Sequence, residues 1–275
     1  MIEKAYGKIN ISLDIVGKRS DGYHELDMIM VPVGIYDTLY LKKDREMSFV
    51  SNCALRWDES NLIYKAVMLM KKTFSLDSNY SIRLIKRIPE QAGMAGGSAD
   101  CAAVMRLINK VEKLNLSRRE LAALGVKLGA DVPFCIYQEA ARVKGIGEKI
   151  RVLPEHEKYD VVIIKPDKGV STAIAFKMAD EGECLHPDMD KVEELYLSHG
   201  ELETVMGNSL QQPAISMLPE IEDILNECKN AGFTKSLMTG SGSAVFALVE
   251  KHQNVTEFIK RMKKKYKFTY KTQII

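Results

Sequence analysis

Residues Pro89 to Asp100 read P-E-Q-A-G-M-A-G-G-S-A-D and join two segments of opposite periodicity. Ser81-Ile82-Arg83-Leu84-Ile85-Lys86 alternates as a strand does, and Ala99 to about Val111 is Ala-rich as a helix can be. A glycine-rich turn that opens a helix gathers backbone N–H groups at the positive end of the helix dipole. Such a turn binds phosphate. Gly93, Gly96 and Gly97 carry no Cβ to block a ligand and can take positive φ. Ser98 offers a hydroxyl at or near the N-cap. The same residues would equally make a tight strand-to-helix connection with no ligand, and the run alone does not decide between the two.

Composition narrows the partners. A chain of 275 residues suits one large domain or two ordinary ones, and 46% hydrophobic with 28% charged residues leaves ample apolar material for a core. A net charge of +2 is too small to argue for nucleic acid or an anionic membrane. The one basic cluster, Lys260, Arg261, Lys263, Lys264, Lys265 and Lys267, falls on a helix end near the C-terminus, where it reads as a solvated face that complements the dipole. No aromatic stacking set accompanies it, so no nucleic acid is expected. The five cysteines are scattered without a C-x-x-C; Cys101, Cys135 and Cys228 lie in apolar segments and read as buried free thiols. The five histidines show no metal spacing, so no metal site is expected. The N-terminus has no apolar signal core, and the longest aliphatic run, Val161 to Ile164, is far short of a membrane span. The expectation is a cytoplasmic protein without membrane partners.

Periodicity places the rest. Ile9 to Ile15 alternates as a strand with Lys8, Asn10, Ser12 and Asp14 on its polar face. A polar loop, Gly17 to His24, follows, then strands at Met28–Ile35, Asp37–Lys42 and Met47–Ser51. Asn61 to Lys72 reads as a helix with Ser60 as its N-cap. Ser117-Arg118-Arg119-Glu120 is a capping-box sequence whose helix would run to a glycine cap at Gly129. Ala140–Lys144 and Glu148–Val152 flank a Gly145-Ile146-Gly147 turn as a hairpin. A composition break at Leu153 to Lys158 divides the chain into 1–152 and 153–275. The second part offers strands at Tyr159–Lys165, Lys235–Met238, Ala244–Val249 and Phe268–Ile274. Its helices would be one capped by Ser171, a broken one over 188–217, one from Pro219 to Gly232, and one from Asn254 to Lys265. Both parts are α+β.

Candidate chemistry follows from what is present and absent. There is no Walker phosphate loop, no protein-kinase H-R-D or D-F-G, no G-x-G-x-x-G and no G-x-S-x-G. Lys8 and Asn10 share a strand face that is either exposed surface, the commoner case, or a cleft wall. Asp131 is either a turn residue or, given its apolar neighbours, a partly buried carboxylate that needs a cationic partner. Tyr23 and His24 suit ordinary loop packing or a stacking ring with an imidazole for a flat ligand. Thr239-Gly240-Ser241-Gly242-Ser243 is a hairpin turn or a second set of backbone donors.

In their order along the chain these pieces resemble the GHMP kinases. Carrying the resemblance are A-x-x-K-I-N-x-S-L from Ala5, R-S-D-G-Y-H-E-L from Arg19, P-x-x-A-G-M-A-G-G-S-A-D from Pro89, G-A-D-V-P-F from Gly129 and T-G-S-G-S-A from Thr239. The resemblance implies a two-domain α+β fold, with a ribosomal protein S5 domain 2-like N-terminal domain, a ferredoxin-like C-terminal domain and an active site between them. It implies ATP held by Pro89, Ala92, Gly93, Met94, Ala95, Gly96, Gly97, Ser98 and Ala99, with Asn61 and Leu62 near the adenine, and Mg2+ bound mainly through ATP oxygens and water. Asp131 would take the proton of the acceptor hydroxyl, and Lys8 would keep Asp131 ionised.

The Asp21-Gly22-Tyr23-His24 string narrows the resemblance to the branch that phosphorylates the 2-hydroxyl of 4-diphosphocytidyl-2-C-methyl-D-erythritol in the non-mevalonate isoprenoid pathway. Tyr23 would stack on that small-molecule cytidylyl substrate, Asn10 and His24 would read its edge, and Gly240, Ser241 and Gly242 would also face it. The protein would work as a monomer or weak homodimer. Other GHMP acceptors (homoserine, mevalonate, a sugar) or a non-catalytic nucleotide-binding regulator are the alternatives. This chain has Ser98-Ala99 where the family has Ser-Ser. Lys168 to Thr172 has no aromatic for a second cytosine wall, and Phe176 lies one helical turn beyond.

Overall fold

The computed structural model describes residues 1–154 and 159–275; Glu155 to Lys158 of the expected boundary lie outside them. The chain forms two compact units, each assembled from separated segments. Two long strands, β1 (Ile2–Lys18) and β2 (His24–Asp44), pair with each other and contribute residues to both units. The sequence suggests two strands over 28–42. One continuous strand forms instead, running through Gly34 and Tyr36.

The first unit holds Met1–Gly7, Ile35–Ile88 and Ala95–Gln138. Strand β4 (Asn79–Ile85) runs antiparallel to β2, from Thr38 opposite Ile85 to Asp44 opposite Asn79, and β3 (Ser48–Ser51) runs parallel to β4. Helix α1 (Leu62–Phe74) buries Ile63, Ala66, Val67 and Met70, one stripe at helical spacing. Helix α2 (Gly96–Val111) buries an almost unbroken run from Ala99 to Ile108, so it is the central helix, packed by α1 and by α4 (Val132–Tyr137). The small side chains of its Ala-rich sequence permit that close approach on several faces. Helix α3 (Arg118–Gly125) has the capping box read from its sequence: Ser117 accepts from Glu120 N, and Glu120 reaches back to Ser117 N. It ends at Gly125, short of the expected Gly129. The chain tightens there into i→i−3 bonds, Lys127 N to Leu124 O and Leu128 N to Gly125 O.

The second unit holds Lys8–Gly34, Pro89–Met94 and Glu139–Ile275. The hairpin of β5 (Ala141–Gly145) and β6 (Lys149–Val152) forms as its sequence suggests, and β5 pairs antiparallel with β2. Strand β7 (Tyr159–Lys165), β8 (Ser236–Met238), β9 (Val245–Glu250) and β10 (Phe268–Gln273) make an antiparallel sheet in the order β10-β7-β9-β8. The continuous Val161–Ile164 run is fully buried, as a strand covered on both faces requires. Helices α5 (Thr172–Glu181), α6 (Met189–Leu197), α7 (Gln211–Met217), α8 (Glu220–Asn230) and α9 (Thr256–Lys265) complete the unit. Among the described residues, no helix is long and apolar enough to cross a membrane.

Candidate active site

In the second unit, two glycine turns close on each other backbone to backbone. Ser243 N donates to Gln91 O at 3.0 Å and Ala244 N to Ala92 O at 3.3 Å. A Cβ on Gly93 would lie 2.0 Å from Thr239 O, and Gly93 has a φ of +69°. No other residue fits there. The second turn therefore acts first as a wall that holds the first, whatever else it faces. Asn208, buried, ties the same wall down through Nδ2 bonds to Met238 O and Gly240 O, both 2.8 Å.

Lys8 and Asn10 stand on β1 beside these turns. Lys8 N donates to Met94 O at 3.1 Å, Lys8 Nζ to Asn10 Oδ1 at 2.5 Å, and Asn10 N to Thr239 Oγ1 at 3.0 Å. A Cβ on Gly240 would come 3.0 Å from Lys8 Nζ. Lys8 is 3% exposed and Asn10 fully buried, which overturns the exposed-surface reading of this strand face. The turns cover it. A buried ammonium needs counter-partners or a ligand anion. Asn10 Nδ2 is buried with no partner among the described residues. Such an orphaned donor costs about 1–3 kcal/mol unless something else accepts from it.

The Tyr23–His24 loop divides its two rings. Tyr23 is exposed, whereas the side chain of His24 is only 12% exposed. The His24 ring stacks on Phe176, with centroids 4.6 Å apart and planes at 21°. Its Nε2 lies 2.7 Å from Asp180 Oδ1, and Lys18 Nζ holds the other oxygen at 2.5 Å. Hydrogen bonds from Lys18 and His24 keep the Asp180 carboxyl below the usual carboxylate range. An ionised Asp180 makes Nε2 the donor and leaves Nδ1 as an acceptor in the neutral ring. Phe176, which the sequence places a turn too far along α5, thus reaches the loop. The signal was available: Phe176 and Asp180 are four apart on α5 and share one face.

In the first unit, α2 begins at Gly96, three residues earlier than its Ala-rich segment suggests. Its N-cap is Ala95, in the left-handed region at φ +56°, and not Ser98. A non-glycine residue there costs about 1 kcal/mol and marks a constrained turn. Gly96, Gly97 and Ser98 fall in the first turn, where N–H groups have no intrahelical acceptor. Ala99 is fully buried. Leu62 Cδ1 lies 3.7 Å from where a Cβ on Gly97 would be, so the start of α1 abuts the phosphate-type turn. Asn61, not Ser60, caps α1: its Oδ1 accepts from Ile63 N and its Nδ2 donates to Arg56 O, both 2.9 Å.

Asp131 occupies the N-cap position of α4, so a helix starts where a loop was expected. Its side chain makes no capping bond and is half-buried. Gly129 abuts Ser98, with 3.9 Å between a Cβ there and Ser98 Oγ, which brings the Asp131 turn to the α2 N-terminus.

Sequence reasoning passed over a third group. Lys86 Nζ bridges Asp37 Oδ2 (2.5 Å) and Asp100 Oδ2 (2.8 Å) below that helix start. No local pattern links residues on β2, after β4 and on α2.

Family models for the GHMP kinases N terminal domain and the GHMP kinases C terminal domain match residues 61–139 and 178–267. A 4-diphosphocytidyl-2-C-methyl-D-erythritol kinase of Clostridium tetani is 40% identical, and one of Clostridium beijerinckii 41%, each over 99% of both chains. A crystal structure of a 4-(cytidine 5'-diphospho)-2C-methyl-D-erythritol kinase, 27% identical, superposes with a TM-score of 0.85 over 100% of this chain and 99% of that one. The chain belongs to the GHMP kinases, a family of ATP-dependent kinases, among the members typified by those two clostridial enzymes.

Proposed function

We propose that this protein transfers the γ-phosphoryl group of ATP to the 2-hydroxyl of 4-diphosphocytidyl-2-C-methyl-D-erythritol. The observation that carries the acceptor assignment is the His24 ring, stacked on Phe176 and fixed by Asp180. That arrangement leaves Nδ1 to accept from an exocyclic amino group such as that of cytosine, and leaves the exposed Tyr23 ring for stacking. The orphaned Asn10 Nδ2 supplies a donor for a neighbouring acceptor on the same substrate.

Phosphoryl transfer needs positioning, charge neutralisation and a base. The first turn of α2, with the Pro89–Met94 segment leading into it, would hold the nucleotide phosphates; Leu62 and the backbone at Asn61 would border the adenine. Asp131 would accept the proton of the acceptor hydroxyl, its carboxylate being unused in capping α4. Lys8 would offset negative charge on the transferring group. Among the described residues no three His, Cys, Asp or Glu side chains converge on a metal position. Mg2+ would ride mainly on nucleotide oxygens and water, where it neutralises phosphate charge. The division of the chain at 152 and 153 is part of this reading, supported by the two family matches that fall on either side. So are a cytoplasmic setting, which the buried free thiols of Cys101 and Cys228 suit, and a monomer or weak homodimer.

The test is ADP release by purified protein with ATP, Mg2+ and each of four acceptors: the cytidylyl substrate, homoserine, mevalonate and galactose. Turnover with the cytidylyl substrate alone is expected. Turnover with another acceptor and none with this one overturns the assignment.

A further inference from the structure

The Asp37–Lys86–Asp100 cluster lies under the helix start that the kinase reading gives to ATP phosphates, and nothing in that reading uses it. Asp37 is fully buried, Asp100 is 2% exposed and the Lys86 side chain 11%. Asp37 accepts from Arg87 N, from Ile88 N at 2.8 Å and from Lys86, so both its oxygens are engaged by donors. Asp100 has Lys86 on Oδ2 only; its Oδ1 is buried with no partner among the described residues. The same Lys86 ammonium holds both carboxyl groups, Asp37 at 2.5 Å and Asp100 at 2.8 Å. Two buried carboxyl groups gathered on one cation do not both ionise readily, and the one with fewer donors is the one that takes a proton. One ammonium for two buried carboxylates leaves a surplus of one negative charge, which a single proton on the cluster removes.

We propose that Asp100 holds this proton, and that the cluster is a positioning device which keeps the base of the phosphate-binding helix neutral. Lys86 is the mechanical part. Its Nζ lies 3.2 Å from the position of a Cβ on Gly96, so it supports the first residue of α2 from below while Asp37 pins the backbone at Arg87 and Ile88. Asp100 is the electrical part. It sits four residues after Gly96, one turn of helix. If ionised, it would add a negative charge close to bound phosphates and work against the helix dipole.

The groups around Asp100 agree with this. From β2 it faces Asp37, from the end of β4 Lys86, and along its own helix the Cys101 thiol. The buried face of α1 carries no titratable group, and α3 buries only Leu121 and Gly125. From α4 comes the thiol of Cys135, whose carbonyl takes Arg106 nearly two turns along α2. Burial pushes the Asp100 carboxyl up, to about 8, against the pull of Lys86 and with the help of Asp37. Burial lowers Lys86, but the attraction of Asp100 and Asp37 outweighs it, so the ammonium stays charged.

The sign of the linkage follows. Bound phosphates favour protonated Asp100 and raise its affinity for the proton further. Nucleotide binding is therefore full below about pH 8, is accompanied by proton uptake near that pH, and weakens above it. The inference rests on the phosphate-site reading above. Calorimetry of ATP with Mg2+ and no acceptor, from pH 7.5 to 9.5 in two buffers of different ionisation enthalpy, separates the two claims. The nucleotide's own last titration is complete below this range. Wild-type protein should lose affinity about five- to tenfold across it, with protons taken up. Asp100→Asn, a neutral isostere, should bind as well as wild type does at pH 7.5 and stay flat. An equal alkaline loss in Asp100→Asn, or a flat wild type, overturns the inference and leaves the kinase reading standing. No binding by wild type at any pH overturns both. Carboxyl-carbon NMR of wild-type protein labelled at aspartate is the check that needs no variant: one carboxyl titrating above pH 7 is expected, and its absence overturns the proposal.

Discussion

At the scale of single residues, the acceptor side of the proposed site depends on side chains that support other side chains. His24 can present Nδ1 only while Asp180 holds Nε2, and its plane is set by Phe176. Phe176→Ala removes the ring that fixes this plane. Loss of an aromatic stack is worth about 0.5–1.5 kcal/mol, and added freedom of the imidazole increases the cost. Steady-state kinetics of Phe176→Ala should show KM for the cytidylyl acceptor raised about five- to thirtyfold, with KM for ATP changed less than twofold. Equal changes for both substrates would place Phe176 in general stability and not in acceptor recognition. Lys8, Asn10 and Asp131 could be singled out as candidates from the chain because each lies in a short motif with unusual chemistry. The shared face of Phe176 and Asp180 hints at a pair, but what that pair serves, like the joining of Asp37 to Lys86, comes from partners up to 156 residues away, which no local pattern encodes.

At the scale of elements, the glycine turns are built as a pair. Gly93 must be glycine twice over: its φ is +69°, and the Thr239 carbonyl occupies the space of a Cβ. Gly232 is the natural control, with φ +81° and open space around it. Gly93→Ala should therefore destabilise the protein by about 2–4 kcal/mol, from strain and from separation of the two turns. Gly232→Ala should cost only about 1 kcal/mol. Urea denaturation of both variants measures the difference; equal costs would mean that the turn contact is soft. Elements with local causes were legible in advance: the Ser117 capping box, the hairpin around Gly145, the buried strand Tyr159–Lys165. Boundaries set by tertiary packing were not. Helix α2 starts at Gly96 because Ala95 accepts a left-handed backbone that its own propensity disfavours. Helix α3 stops at Gly125 because Val132 and Ile136 leave no room for a side chain there and the chain must turn toward α4.

At the scale of the whole molecule, each unit is tied together by a charge cluster that joins distant stretches of chain, and the second unit shows how such ties respond to pH. Buried Arg142 on β5 grips Asp27 on β2 with two bonds, 2.9 and 2.7 Å, and reaches Asp190 and Glu193 on α6 at 2.6 and 2.7 Å. Arg151 adds a second bond to Glu193. Helix α6 is thereby fastened to the hairpin by carboxylates that must stay ionised. The hydrogen bond from Arg151 lowers the Glu193 carboxyl, partial burial opposes it, and Arg142 lowers it again; the net direction is down. A carboxylate lowered on folding contributes stability above its unfolded value, near 4.3, and loses it as pH falls through the folded value. Glu193→Gln keeps the shape and removes the charge. The variant should be less stable than wild type by about 1–2 kcal/mol at pH 7, a shift of a few degrees in Tm, since Arg151 is exposed and the bonds are partly screened. By pH 3 the difference should be shrinking, because wild-type Glu193 takes up its proton, and becomes equally uncharged, as pH falls through its lowered folded value. Thermal unfolding at both pH values measures this. A deficit that persists unchanged at pH 3 would show that Glu193 acts by packing and not by charge, and equal stability at pH 7 would show that Asp27 and Asp190 hold Arg142 without it.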